Sequence, residues 1–205
     1  MSDLHEVVIF AGPHGSGKDT VENAFTSSRP DATRHVRYSS RAQSPWEVQG
    51  HTYNFVSPEE FDTMVQRGEF IDYAHYPEGS SGIARRGLMR DIETYRYTSI
   101  TANFEEGLSL SQKLGRLGII GRCLFIGPCT KEVMIDQPDR YLGALARRMS
   151  ERARASDDIA LRLSKAALYR ELFMAVQDEI VYIANEDDKH LAAVEQVKAI
   201  VVKAS

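Results

Sequence analysis

GPHGSGKDT, residues 12 to 20, combines three glycines, a lysine and oxygen-bearing side chains at a spacing suited to holding phosphates. It follows G-x-x-x-x-G-K-[ST], except that Asp19 stands where the pattern has a hydroxyl. Gly12, Gly15 and Gly17 let the backbone turn its N–H groups inward and approach phosphates without a Cβ in the way. A helix starting there adds its positive N-terminal end. Lys18 reaches toward β and γ phosphates as a point charge. The whole run, Gly12, Pro13, His14, Gly15, Ser16, Gly17, Lys18, Asp19 and Thr20, is therefore the expected contact surface for the phosphates of ATP. Asp can serve a hard cation directly or through water, so Asp19, with Thr20 beside it, is the expected Mg²⁺ shell. His14 reads as a loop side chain near solvent.

The surrounding sequence supplies the elements such a loop needs. EVVIFA (6 to 11) runs straight into it, and a helical segment from Gly17 to Phe25 follows, giving strand, loop, helix. Three further apolar runs, 97 to 104, 122 to 127 and 179 to 185, are rich in β-branched and aromatic residues, as buried parallel strands are. Ser57 caps PEEFDTMVQRG, and 141 to 149 and 159 to 173 show apolar residues at helical spacing. Leu191, Val194, Val197 and Val201 form one apolar face predicted to pack on the sheet. Alternation of this kind predicts an α/β fold with a doubly wound parallel sheet.

At 205 residues the chain fits one domain with a core that needs no disulfides. A net charge of -4 gives no general electrostatic attraction to nucleic acid or to a membrane surface, and neither is expected as a partner. Cys123 and Cys129 flank an apolar run without zinc or disulfide spacing and read as reduced core or loop residues. The N-terminus has only a short apolar stretch and no basic region ahead of it, so the expected compartment is the cytoplasm.

The stretch from Arg37 to Ile83, densest at GHTYNFVSPEEFDTMVQRGEFIDY, resembles the guanylate kinase family, and the resemblance extends over nearly the whole chain. It implies a P-loop kinase with core segments 1–36, 97–140 and 164–205, an acceptor-binding region 37–96 and an arginine-rich lid 141–163. By that resemblance Arg41 and Tyr53 hold the phosphate of a bound monophosphate, and Asp72 accepts hydrogen bonds from the guanine edge. An arginine fork suits phosphate oxygens, and a carboxylate can accept from adjacent N1–H and N2–H groups.

The chain departs from the family pattern where the acceptor sits. Ser44 replaces a second phosphate arginine, Arg37 a base-contacting serine, Ser80 and Ser81 a tyrosine pair, and Ile83 a hydroxyl, while Asn103 is the nearest substitute for aspartates ending a strand. Arg37, Ser81 and Asn103 thus join the candidate acceptor contacts. RYSSRAQS, GKDT and RLSKAALY also resemble ribose 1,5-bisphosphate phosphokinase, and Arg37 suits a second anionic group better than a purine edge.

RRMSERARASDDIALRL, 147 to 163, resembles the lid of these kinases, so Arg152, Arg154 and Arg162 are expected to stabilise charge on the transferred group together with Lys18. Asn185, in ANEDD, falls where the family places its adenine-binding turn. The expected activity is transfer of the γ-phosphate of ATP to a nucleoside monophosphate, GMP first, with Mg²⁺. The alternatives are a sugar-bisphosphate kinase of the same fold and a non-catalytic interaction module.

Overall fold

The computed structural model describes residues 5–151, 158–187 and 189–203. Along the chain run β1 (Glu6–Ala11), α1 (Lys18–Ser27), β2 (Ala32–Arg34), β3 (Tyr38–Ser39), β4 (Asn54–Phe55), α2 (Pro58–Gln66), β5 (Phe70–Tyr76) and β6 (Gly79–Ala84). They are followed by α3 (Arg85–Thr94), β7 (Tyr97–Ala102), α4 (Phe104–Arg116), β8 (Ile120–Gly127), α5 (Lys131–Asp136), α6 (Pro138–Glu151), α7 (Ile159–Val176), β9 (Val181–Ala184) and α8 (His190–Lys203).

Five strands in the order β2-β7-β1-β8-β9 form the parallel core sheet. All six residues of β1 are buried because the central strand is covered on both faces. Val7, Ile9 and Ala11 face a cluster with Phe104, Leu110, Phe125, Leu145 and Phe173, while Val8 and Phe10 face Val21, Phe25, Val194 and Val197. Chain order reverses on either side of β1, so the loop after it sits at the switch point, where open α/β sheets bind ligands.

A second sheet, β4-β3-β6-β5, stands apart with its own small core of Phe61, Met64, Phe70 and Ala84. Ser57 does cap α2, accepting from Glu60 N–H at 3.1 Å.

Several boundaries move. The strand expected to reach 104 stops at Ala102, because Asn103 caps α4 by accepting from Glu106 N–H at 2.9 Å. Helix α4 was not legible as a separate element. It lies against β1 so closely that a Cβ on Gly107 would sit 2.7 Å from Ala11 Cβ. In α8 the packed face is Ala193, Val194, Val197 and Val201, and Leu191, expected on it, is 66% exposed. The segment expected as lid begins inside a packed helix: Tyr141, Leu145 and Met149 of α6 belong to the main core.

Both cysteines are free and buried, and burial pushes the Cys123 thiol up to about 12. Among the described residues no helix is long and apolar enough to cross a membrane.

Candidate active site

Residues 12 to 17 span the gap between the end of β1 and the start of α1. Ser16 N–H donates to Pro13 O at 3.3 Å, and Lys18 Nζ lies along the loop at 3.5 Å from the same carbonyl. Gly17 forms the N-cap with φ 80°, and a Cβ there would run into Asn185 Nδ2. Glycine is required on both counts. Ser16 Oγ is buried with no protein partner among the described residues. An orphaned hydroxyl inside a glycine-rich loop at a helix N-terminus fits a ligand with several acceptor oxygens, as a phosphate has.

Two side chains brace this loop through its carbonyls. Asn185, 5% exposed, donates Nδ2–H to Ser16 O at 2.8 Å, while its backbone N–H donates to Gly127 O at 2.8 Å. Asn185, expected at the adenine, thus lines the cavity beside the loop while its amide ties down the loop carbonyl. Arg148 was not singled out from the sequence, where it looked like one arginine of a basic run. Its guanidinium, 12% exposed, donates to Asn185 O (2.7 Å), Ser16 O (3.3 Å), Gly15 O (3.4 Å) and Asp187 Oδ1 (2.9 Å). The legible signal was its place next to Met149 on the buried face of a helix. Arg147 adds a second ion pair to Asp187.

Beside the loop opens a cavity of about 490 Å³ lined by Gly15, Gly17, Thr20, Arg147, Arg148 and Asp187, among others. Its size suits a nucleotide. Asp19 and Thr20 are exposed on the first turn of α1, and Thr20 lines this cavity. An exposed carboxylate and hydroxyl beside a phosphate loop are the hard oxygen donors that a nucleotide-bound Mg²⁺ takes. His14 is exposed on the loop, as expected.

Glu22, one turn beyond Lys18, is fully buried. Ser99 Oγ donates to it at 2.9 Å and Arg34 Nε lies 3.1 Å away, yet burial pushes its carboxyl up to about 7. An acid whose folded-state pKa exceeds its unfolded value loses stability as pH rises between the two, here from about 4.5 to about 7. Glu22→Gln is thus expected to match wild type in thermal melts near pH 4.5 and to gain about 1 to 3 kcal/mol on it by pH 8. A difference that does not change with pH would show the folded carboxylate ionised throughout.

On the side expected to take the acceptor, Arg41 makes a two-pronged pair with Glu47, Nη1 to Oε2 at 2.7 Å and Nη2 to Oε1 at 2.5 Å, and its guanidinium lies 5.1 Å from the centre of the Tyr53 ring. The hydrogen bonds from Arg41 hold the Glu47 carboxyl down at about 2. Ser44, where the family resemblance leads one to expect a second arginine, instead donates its backbone N–H to the Glu47 carboxylate at 2.9 Å and accepts from Glu47 N–H at 3.0 Å. Asp72 is 6% exposed on β5, with Lys113 Nζ of α4 2.5 Å from its Oδ1 and buried Ile83 opposite it in the β5–β6 ladder. Ser81 lies on β6, registered between Ser39 and Ala74.

Arg37, a candidate acceptor contact, turns inward, donating to Thr101 O at 3.1 Å and pairing with the buried Glu106. Asn103 uses its side-chain oxygen for the α4 cap. Arg162 is half-buried on the first turn of α7, and Arg152 and Arg154 lie outside the described residues.

A phosphate loop at the switch point of a parallel core sheet, facing a separate small sheet, defines a P-loop kinase, and this chain is one. The sequence profile of the family described as Guanylate kinase matches residues 5–156, and the chain belongs to that family. It is 26% identical over 192 residues to a guanylate kinase of Synechococcus elongatus, covering 94% of this chain and 96% of that one. It is 28% identical over 178 residues to one from Xanthomonas campestris pv. campestris, covering 87% and 79%. The crystal structure of guanylate kinase from Anaplasma phagocytophilum superposes with a TM-score of 0.66 at 17% identity, covering 100% of this chain and 88% of that one.

Proposed function

We propose that this kinase transfers the γ-phosphate of ATP to GMP. The observation that carries the choice of acceptor is electrostatic. Arg37, the residue that suited a second anionic group, is buried together with its partner Glu106, whereas the buried carboxylate Asp72 on the small sheet pairs with a lysine, Lys113, that is 41% exposed. A sugar bisphosphate needs a second cationic anchor; a guanine edge presents N–H donors that a carboxylate accepts. The likeness to relatives described as guanylate kinases supports the same reading.

In this reading the loop N–H groups and Lys18 hold the β and γ phosphates, and Arg41 and Tyr53 hold the acceptor phosphate. An acceptor phosphate oxygen forms the new bond to the γ phosphorus while the bond from that phosphorus to the β–γ bridging oxygen breaks, and ADP leaves. The attacking oxygen is already nucleophilic, so the protein's work is alignment and stabilisation of charge, and no general base is assigned. Arg152, Arg154 and Arg162 are the arginines proposed to carry that charge with Lys18. Asp19 and Thr20 would hold Mg²⁺, which when bound neutralises phosphate charge. Arg148 and Asn185 keep the loop carbonyls tied back.

The test is ADP release from Mg-ATP with GMP, dGMP, AMP, UMP and ribose 1,5-bisphosphate side by side. GMP is expected to be turned over at about 1 to 100 per second, the usual kinase range, and best of the five. Turnover with the sugar bisphosphate alone would overturn the acceptor assignment, and no turnover with any, together with no thermal stabilisation by Mg-ATP, would point to a non-catalytic module.

A further inference from the structure

Helix α4 places two charged residues over the acceptor region. Glu106 and Lys113 are seven residues apart, two helical turns, and so share a face. One pairs with Arg37 and the other with Asp72. Tyr76, at the end of β5, lies near Glu106, Arg37 and Asp72 together, and burial pushes its phenol up. These charged groups therefore lie together between α4 and the small sheet.

The two pairs are not equivalent. Arg37 and Glu106 are about equally buried, at 11% and 10% side-chain exposure. Lys113 is 41% exposed although its partner Asp72 is buried. Its ammonium has three donors and only one goes to Asp72 Oδ1, so the others face outward from the carboxylate. Ile83, opposite Asp72, offers no hydrogen bond where the family pattern has a hydroxyl.

We propose that Lys113 is a specificity-determining residue of the acceptor site, donating to the 6-oxo group of a purine while Asp72 accepts from the adjoining N1–H. The inference rests on the nucleotide-acceptor reading above. The pair demands an acceptor atom at C6 next to a donor at N1, as guanine has. Adenine presents the reverse, a 6-amino donor against an ammonium and a bare N1 against a carboxylate, and a site built this way leaves its own polar groups unpaired with the wrong base. Lys113 thereby makes the polar contact that Ile83 cannot.

The test compares kcat/KM for GMP with that for 6-thioguanosine 5′-monophosphate, which keeps the N1–H and the 2-amino group but carries a weakly accepting sulfur in place of the 6-oxo group, in wild type and in Lys113→Met. Loss of one charge-assisted hydrogen bond is expected to lower kcat/KM for GMP about 10- to 100-fold in the variant, with the analogue changed less than about threefold and the KM for ATP unchanged. Lys113→Arg, which keeps a donor, is expected to recover part of the GMP activity. An equal fall for both nucleotides would show that Lys113 only holds Asp72 in place, and no fall would remove it from the site; either overturns the proposal alone. A wild-type enzyme inert toward GMP would overturn the acceptor reading and this inference with it. Because Lys113 is 41% exposed, melting temperatures are expected to stay within a few degrees, so that a loss of activity is not a loss of fold.

Discussion

Lys18→Ala is expected to lower kcat by about a thousandfold or more with any acceptor, while leaving the fold intact. Lys18 sits at the first position of α1, and among the described residues its side-chain hydrogen bond is a long 3.5 Å contact with Pro13 O, so its removal costs little stability. What is lost is the one cation of the loop. The backbone N–H groups, the orphaned Ser16 hydroxyl and the braces from Asn185 and Arg148 all remain, so Mg-ATP still binds, with modestly reduced affinity. A thousandfold effect corresponds to about 4 kcal/mol of transition-state stabilisation, the size seen when a preorganised charge or donor is removed from a developing anion. Lys18→Arg is expected to recover little, since a planar fork on a longer stem does not replace a compact ammonium. Single-turnover rates at saturating Mg-ATP make the measurement. A variant retaining a tenth of the wild-type rate would mean that Lys18 binds the nucleotide without acting on the transfer.

The second large effect is expected at the other substrate. Arg41→Ala should raise the KM for the acceptor about 10- to 100-fold and leave that for ATP within about twofold, because a charge-assisted fork to phosphate is lost on one side of the cleft only. The same change has a signature in stability. Glu47, held down at about 2 by Arg41, contributes stability present above its unfolded value near 4.5 and lost as pH falls from there toward 2. Without Arg41 the carboxyl rises toward its ordinary range, although the Ser44 N–H still donates to it, and the acid-side loss of stability is expected to shrink. Melting curves between pH 2 and 5 alongside acceptor kinetics separate the two roles. Unchanged acceptor KM with an altered acid profile would make Arg41 a structural partner of Glu47 and no more.

The elements that the sequence displayed clearly are those whose pattern is local. EVVIFA is apolar at every position because β1 is covered on both faces, and its run into GPHGSGKDT fixed the strand, loop and helix before any tertiary contact was known. The Ser57 cap was legible for the same reason, a hydroxyl three residues before the N–H that it accepts from. Helix α4 was hidden because FEEGLSLSQKLGR mixes its apolar residues with serines and glycines. Gly107, a helix-weakening residue by propensity, is there to let the helix touch β1.

At the site the division is sharper. Residue types and spacing determined a phosphate loop, and the resemblance to guanylate kinases added an arginine, a tyrosine and an aspartate expected on the acceptor side, and hence a nucleotide-handling kinase. Which of the other charges remain available was decided only by tertiary packing. Arg37 looked like a second anion anchor until α4 brought Glu106 against it, across 69 residues of chain. Asn185 gave no sign in the sequence that its amide would meet Ser16 O, 169 residues away. Arg148 looked like one of a basic run until it closed on the carbonyls of the loop, and Lys113 carried no signal at all before it met Asp72. The sequence by itself determined what each group can donate or accept, because that is a property of the side chain; the tertiary structure decided which partner takes it, because a charge is spent or kept according to what folds against it, and that contact has no period along the chain.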